Sequence, residues 1–428
     1  MMHFFVVQLL LFSHNIISRS TRQHSTTREL PSTTTCTSID DDNSKKQAKK
    51  KSKFIAILPG KKSSFGVLSP ELPPPVEFSS THIGTSYLTA VLPDDGCPSN
   101  IDLPSLHNRR VLHYVKSLLS PSQVSSILYH CSDTVGFEQN QARCYVAVED
   151  GVPQLNNNLT RILLPVLNDH VVPFARDICN APELVVADAL VRRYDPEDGN
   201  EVLSAHYDLT SFASVIIPLT LTEGGLYVQS GASRQSRRSV DFESAGDGVL
   251  HRFDVMHGVD VRKGRRYSLV VWLSETEEAM RLKTVPWVER ERDKSVHAAY
   301  LYAMNAKDGK YGVSKDSELA RHYLEFAAAR GHAISQYILA LALMKEGYRS
   351  EKDNRWIEYE RGRIVELLEK ASERGLGEAL HELGTAYKQG YIGLERDYSV
   401  ARFILGLAAD NGYQPSIEIL EDDSRWTY

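Results

Sequence analysis

At 428 residues, 42% of them hydrophobic and 24% charged, the chain is long enough to bury more than one core. A formal net charge of −6 over that length speaks against a nucleic-acid-binding surface and against a trap for charged substrates, because neither sign dominates. The five cysteines, Cys36, Cys97, Cys131, Cys144 and Cys179, show no C-x-x-C spacing; neither a zinc knuckle nor a dense disulfide framework is indicated, while one or two bridges stay open.

In chain order, the first feature is "FFVVQLLLF", Phe4 to Phe12, followed by a Ser/Thr-rich stretch with Arg19, Arg22 and Arg28. It reads as a targeting segment. The apolar run is too short for a membrane span, includes Gln8 and lacks the basic start of a secretory signal. Secretory routing to the endoplasmic reticulum is the first expectation, with an organelle transit peptide, a short membrane anchor or a cytoplasmic protein as alternatives. Membrane contact is expected only through this segment. The sequon Asn158-Leu159-Thr160 would be used only in the secretory pathway.

From about residue 18 to 75 the chain is Ser/Thr-rich, then lysine-rich in "SKKQAKKKSK", then proline-rich in "SPELPPP". No hydrophobic period is sustained, so residues 1–75 are expected to be a targeting segment and disordered linker. The lysines fit a solvated tether best, with a nuclear address or an anionic-surface patch as the alternatives.

Order is expected from about residue 103. In "LLSPSQVSSILYHCSD", Ser120 or Ser122 can cap a helix whose apolar residues follow at helical spacing. "LNNNLTRILLPVLNDHVVPFARDIC" is also helical, but Pro165 and Pro173 predict a kinked or divided helix. Between Leu184 and Ser274 the pattern changes to β-branched runs, "LVVADALVRRY", "FASVIIPLTL" and "RRYSLVVWL", separated by the turns "PEDGN", "EGG" and "AGDG". This rhythm predicts a compact barrel or sandwich with helical support.

Beyond residue 295 alanine-rich helices end in glycine: "YLEFAAARGHA", "LLEKASERGLG" and "ILGLAADNGYQ". Gly331, Gly375 and Gly412 repeat at intervals of 44 and 37 residues, the longer one containing the polar segment "RSEKDNRWIEYE". Small residues such as Ala327, Ala328, Ala371 and Ala408 allow close helix approach, and each glycine supplies a left-handed cap. A short solenoid over residues 295–420 is expected. The run resembles Sel-one-like repeats, relatives of the tetratricopeptide repeat, in about three units. That resemblance implies protein binding; the alternative is that the helices only stabilise the neighbouring domain.

The chemistry lies in "SAHYDLTSF". In a strand, residues i and i+2 share a face, so His206 and Asp208 present an imidazole and a carboxylate together while Tyr207 faces away. A plain hydrogen bond between the two is the commoner use of such a pair, so a third ligand must be found. "LHRFDVMHGVDVRKGRRYSLVVWL" reads as a strand, a turn at Lys263-Gly264 and a long strand, and it holds His251 and His257. Two histidines and one carboxylate on one face form the donor set of non-haem Fe(II) oxygenases. Arg266, nine residues after His257, can hold a carboxylate in its guanidinium fork. The rivals are His251 for the third ligand, and Arg265 and Lys263 for the anchor.

Together these motifs resemble the 2-oxoglutarate and Fe(II)-dependent dioxygenases, specifically the prolyl 4-hydroxylase-like branch. The resemblance covers roughly residues 115 to 275. It rests on His206-Tyr207-Asp208, Gly224-Gly225 in "LTEGGLYV", Gly246-Asp247-Gly248, His257 and "GRRYSLVVW" with Arg266. It implies a multidomain α+β chain: a double-stranded β-helix (jelly-roll) core with supporting helices over residues 103–278, followed by an all-α repeat solenoid. It makes His206, Asp208 and His257 the ligands of Fe(2+), Arg266 the partner of the distal carboxylate of 2-oxoglutarate, and Tyr194 in "VRRYDPEDGN" a second contact to that cosubstrate.

L-ascorbate is implied as the reductant that restores oxidised iron. The implied reaction hydroxylates a protein or peptide side chain, with proline expected, consumes O2 and releases succinate and CO2; the repeats would help recruit the polypeptide. "IIPLT" departs from the family, placing Pro218 where relatives often carry tyrosine or another polar residue. The alternatives are a small-molecule hydroxylase of the same class and a non-catalytic repeat adaptor with a degenerate jelly roll. G-x-x-x-x-G-K-[ST], H-E-x-x-H and G-x-S-x-G do not occur, which leaves other enzyme classes without support.

Overall fold

The β-branched runs of the middle of the chain become the strands of two facing sheets in the computed structural model. It describes residues 73–79, 87–92, 110–132, 144–155, 158–347 and 354–422, all within one unit, Ile57–Tyr428. The expected targeting segment, the lysine-rich linker, Cys36 and Cys97 lie outside the described residues. The described cysteines, Cys131, Cys144 and Cys179, are free thiols. No described helix is long and apolar enough to cross a membrane.

Strands β1 (Tyr87–Val91) and β2 (Val111–Val115) precede helix α1 (Pro121–Ser132). β1 and the bridges at Pro75 and Ser79 place ordered sheet upstream of the boundary expected at residue 103. α1 starts where the sequence places it: Ser120 Oγ accepts from the Gln123 amide at 3.3 Å while Gln123 Oε1 accepts from the Ser120 amide at 2.8 Å. That reciprocal pair satisfies two amides the first turn would leave open.

β3 (Cys144–Glu149) and β4 (Val152–Pro153) lead into α2 (Asn158–Val166) and α3 (Val172–Cys179). Between α2 and α3 the chain stays helical through a wide π turn, Leu167–Val171, closed by the Val172 amide on the Leu167 carbonyl. The two prolines thus widen the helix where a break was the alternative, since a wide turn re-pairs backbone groups that a proline frees. Leu159, Leu163 and Val171 are fully buried on this run.

The remaining strands are β5 (Val185–Tyr194), β6 (Val202–His206), β7 (Ala213–Pro218), β8 (Glu223–Gln229), β9 (Arg237–Ser239), β10 (Gly248–Arg252), β11 (His257–Lys263) and β12 (Arg266–Ser274). An eight-stranded sheet runs β1-β2-β10-β7-β12-β5-β3-β4, and a four-stranded sheet runs β6-β11-β8-β9. Neighbouring strands in both sheets pair antiparallel. This is a jelly roll with supporting helices.

One expectation changes here. The run before Lys263-Gly264 is two strands, because a turn at residues 253–254 sends β10 to the large sheet and β11 to the small one. Gly246-Asp247-Gly248 proves to be a staple of the fold: buried Asp247 accepts from Tyr114 Oη at 2.6 Å and from the Ser117 and Ser244 amides at 2.8 and 2.7 Å.

The described elements after β12 are helices: α4 (Glu277–Leu282), α5 (Pro286–Glu291), α6 (Val296–Asp308), α7 (Ser317–Ala329), α8 (Ala333–Gly347), α9 (Asn354–Glu373), α10 (Gly377–Gln389), α11 (Tyr398–Asp410) and α12 (Gln414–Glu421). α6–α7, α8–α9 and α10–α11 are three successive hairpins. Asp316 and Asp397 cap the second helix of the first and third, each accepting two backbone amides. Part of the polar segment in the middle unit is absorbed into the start of α9.

The first hairpin belongs to the jelly roll's own core. Tyr300, Tyr302, Tyr323 and Ala327 join one buried cluster with Val215, Ile217, Leu269 and Val271. Trp287 is fully buried edge-on to Phe212, with ring centroids 5.7 Å apart. Farther along, Ser233 Oγ in the loop between β8 and β9 donates to Asn411 Oδ1 at 2.8 Å. Gly375 admits that loop, since a Cβ there would stand 2.6 Å from Cβ of Ser233.

Candidate metal centre

β6 ends at His206, so Asp208 lies two residues beyond the strand. β11 begins at His257, opposite His206 in the register. Cross-strand partners project from the same face, and the two rings meet with centroids 4.5 Å apart. His206, Asp208 and His257 offer ligand atoms that all lie within 4.8 Å of one another. His206 Nε2 is 3.6 Å from Asp208 Oδ1, and His257 Nε2 is 3.6 Å from Asp208 Oδ2.

The tautomers are set by the backbone. Nδ1 of His206 lies 2.9 Å from the Ser204 carbonyl and Nδ1 of His257 lies 3.2 Å from the Val255 carbonyl. A carbonyl only accepts, so each Nδ1 carries a proton, which leaves Nε2 as the nitrogen able to offer a lone pair to the shared space. Burial holds the His257 imidazole well below the ordinary histidine range, keeping it neutral, despite the carboxylate beside it. Burial alone would raise Asp208, but His257, His206 and His251 outweigh it and, with a hydrogen bond from Ser214, hold its carboxyl below the usual range, at about 2. A cluster of lone pairs around an ionised carboxylate is complementary to a cation.

Ser214 was not visible as a site residue. Its Oγ donates to Asp208 Oδ2 at 2.5 Å from the buried strand β7, and only the strand order puts it there. His251, the rival ligand, is also in this place: it is 1% exposed, with Nδ1 3.0 Å from the Arg252 carbonyl and Nε2 3.9 Å from Asp208 Oδ2.

Arg266 opens β12 opposite Tyr194 of β5, and both are buried, 3% and 2% exposed. Arg266 Nε donates to Ser268 Oγ at 3.0 Å, while its Nη2 has no hydrogen-bond partner. The side chain crosses to the small sheet, where a Cβ on Gly225 would stand 2.7 Å from Nη1. That close approach, at a φ of +152°, is why glycine is needed there. Burial pushes the guanidinium down to about 10. The rivals stand elsewhere: Arg265 Nε is paired with Asp195 Oδ2 at 2.6 Å and half exposed, and Lys263 is exposed at the turn. Pro218 ends β7, its carbonyl accepting from the Gly246 amide at 2.8 Å.

Tyr207 faces away from the centre, as the alternation predicts. Its hydroxyl is 3.1 Å from His297 Nδ1 on α6. A small crevice, with a volume of about 20 Å³, opens beside it, lined by Tyr207, Gln229 and Met256 of the jelly roll and by His332, Ile334 and Arg374 of the helices. Tyr207 lies between two of the clustered residues in the chain, and Met256 directly precedes the third.

The Sel1 repeat family matches residues 296–332 and 377–413, the first and third hairpins. No curated protein matches the sequence. Among solved structures, the chain is similar to an oxidoreductase of the 2OG-Fe(II) oxygenase family from Burkholderia pseudomallei, at 18% identity and a TM-score of 0.33 over 40% of this chain and 87% of that one. It is also similar to a prolyl-4-hydroxylase from Pseudomonas putida, at 15% identity and 0.29 over 38% and 91%. For a Sel1 repeat protein from Oxalobacter formigenes the values are 23% and 0.28 over 32% and 96%.

Proposed function

We propose that this chain, a 2OG-Fe(II) oxygenase-like domain followed by Sel1 repeats, is an Fe(II)- and 2-oxoglutarate-dependent dioxygenase that hydroxylates a protein or peptide side chain, with proline the expected residue. One observation carries the reading. A buried, acceptor-only group of two imidazoles and a carboxylate shares a barrel with a buried guanidinium that has no carboxylate partner among the described residues. A cation fits the first and the free end of a diacid fits the second.

In this reading His206, Asp208 and His257 would hold the iron, and Ser214 fixes the orientation of the carboxylate by donating to Oδ2. Arg266 would receive the distal carboxylate of 2-oxoglutarate, its direction set by Ser268 and by the space above Gly225, with Tyr194 beside it on the same sheet face. Iron with 2-oxoglutarate and O2 supplies the oxidising chemistry, releasing succinate and CO2. The barrel's buried walls keep water from the reacting groups. L-ascorbate would serve as the reductant that restores the metal.

The polypeptide substrate is supported by the crevice, whose walls come from both the jelly roll and the repeats. The test is direct: purified protein converts 2-oxoglutarate to succinate only with Fe(II) and O2, and His257→Ala or Asp208→Ala abolishes it. Turnover that persists in either variant rejects the metal assignment. Turnover that peptides neither stimulate nor compete for favours a small-molecule substrate.

A further inference from the structure

Two guanidiniums, not one, stand on the inner face of the large sheet. Alternate residues of a strand share a face, and so do cross-strand partners. Arg192 of β5 lies opposite Ser268 of β12, two residues before Tyr194, which lies opposite Arg266. The same face of β12 continues to Trp272, whose partner on β7 is Ser214, the residue that bonds Asp208. This face therefore runs from Arg266 at one end to the candidate metal centre at the other. Arg192 stands between them, its Cζ 4.9 Å from the centroid of the Tyr194 ring.

The Arg192 side chain is partly buried, and its Nε is buried without a hydrogen-bond partner. Arg193, Arg252 and Arg292 also leave a buried Nε unpaired, but each is held in an ion pair, with Asp198, Glu291 and Glu289. Arg192 enters no ion pair among the described residues, and in this it matches Arg266. The polar side chain across from it offers little, since Ser268 Oγ already accepts from Arg266 Nε. A guanidinium taken partly out of water with no counter-charge is costly unless a ligand supplies one. The cosubstrate is already used up: in the reading above, one carboxylate of 2-oxoglutarate goes to the cation and the other to Arg266. Arg192 is also the more open of the two to solvent, so it faces what enters from outside.

We propose that Arg192 receives a carboxylate of the substrate that is hydroxylated, so that the polypeptide taken by this site is acidic beside its target residue. This rests on the dioxygenase reading above. The planar guanidinium matches a carboxylate in two hydrogen bonds, and stacking on Tyr194 fixes its direction. Arg266 and Arg192 then divide the work, the first selecting the cosubstrate and the second the substrate.

The experiment uses the full chain loaded with Mn2+ and 2-oxoglutarate under argon, so that binding is read without turnover. Two fluorescein-labelled peptide pools, each with a central proline, carry either glutamate or glutamine at the flanking positions, and fluorescence anisotropy gives their affinities. The glutamate pool should bind about tenfold more tightly or better. Arg192→Met, which keeps the apolar stem over Tyr194, should erase that preference and leave 2-oxoglutarate affinity within twofold. Arg192→Lys, which keeps the charge without the fork, should retain only part of it. Equal binding of the two pools by the wild type overturns the assignment, and this comparison stands even if neither variant folds. A preference that survives Arg192→Met overturns it too, as does a tenfold loss of 2-oxoglutarate affinity in that variant, which would make Arg192 a cosubstrate contact. Equal pools with 2-oxoglutarate bound sink this proposal alone, whereas a chain that binds no 2-oxoglutarate sinks the dioxygenase reading with it.

Discussion

Replacing Arg266 by methionine separates a residue kept for a ligand from one kept for the fold. The guanidinium is 3% exposed, bonded only through Nε to Ser268, and lowered by burial from 12.5 to about 10. At about 1.4 kcal/mol per tenfold change in proton affinity, that burial costs the folded state about 3 kcal/mol. The sign follows from the direction: a cation whose folded pKa is depressed destabilises wherever it is charged in both states. The cost is thus fully present at neutral pH and fades only as pH rises through about 10.

Methionine preserves a long apolar stem and forfeits the Ser268 bond, worth about 1 kcal/mol. Arg266→Met should therefore make the metal-free protein more stable by about 2 kcal/mol in urea unfolding at neutral pH. The same change removes two charge-assisted hydrogen bonds to a carboxylate, about 1.5–3 kcal/mol each, so the KM for 2-oxoglutarate in a succinate-release assay should rise at least a hundredfold. A variant that is less stable than the wild type, with an unchanged dependence on 2-oxoglutarate, would show that Arg266 is structural and return the anchor to Arg265 or Lys263.

Gly225→Ala places a methyl 2.7 Å from Arg266 Nη1 at a φ of +152°; with strain of about 1–3 kcal/mol, it should raise the KM for 2-oxoglutarate more than tenfold while Fe(II) affinity stays within twofold, measured by turnover and metal competition. Glu378, on α10, has its carboxyl raised by burial, so it destabilises the folded state above its folded pKa and is relieved as pH falls toward 4.5, the ordinary glutamate value. Glu378→Gln should accordingly raise Tm at neutral pH, with the gap to wild type closing on acidification; a gap independent of pH would contradict the burial argument.

The helical hairpins bear on how the two parts cooperate. Tyr300, Tyr302 and Tyr323 are buried in the same cluster as the sheet residues Val215 and Leu269, so the first hairpin cannot be removed without opening that core. The helices of the first hairpin thus help to hold the barrel together. The contact from Tyr207 to His297 joins the H-x-D segment to α6.

Local pattern determined much of this protein. Strict alternation put His206 and Asp208 on one side and Tyr207 on the other, serine capping started α1, and glycine spacing marked the repeats, because each of these depends only on neighbours along the chain. The interval from His257 to Arg266 was equally readable, since one hairpin fixes it. Other features arise from strands distant in sequence. The turn at residues 253–254 moves β11 to the opposite sheet from β10, and only that crossing brings His251 and His257 ring to ring. Ser214 reaches Asp208, Tyr194 stands across from Arg266, and Gly225 makes room for its guanidinium through strand order and register, long-range pairings that no local period encodes. The shared core of barrel and helices is of the same kind: apolar faces can be read in sequence, but which face covers which is settled only when the chain closes on itself.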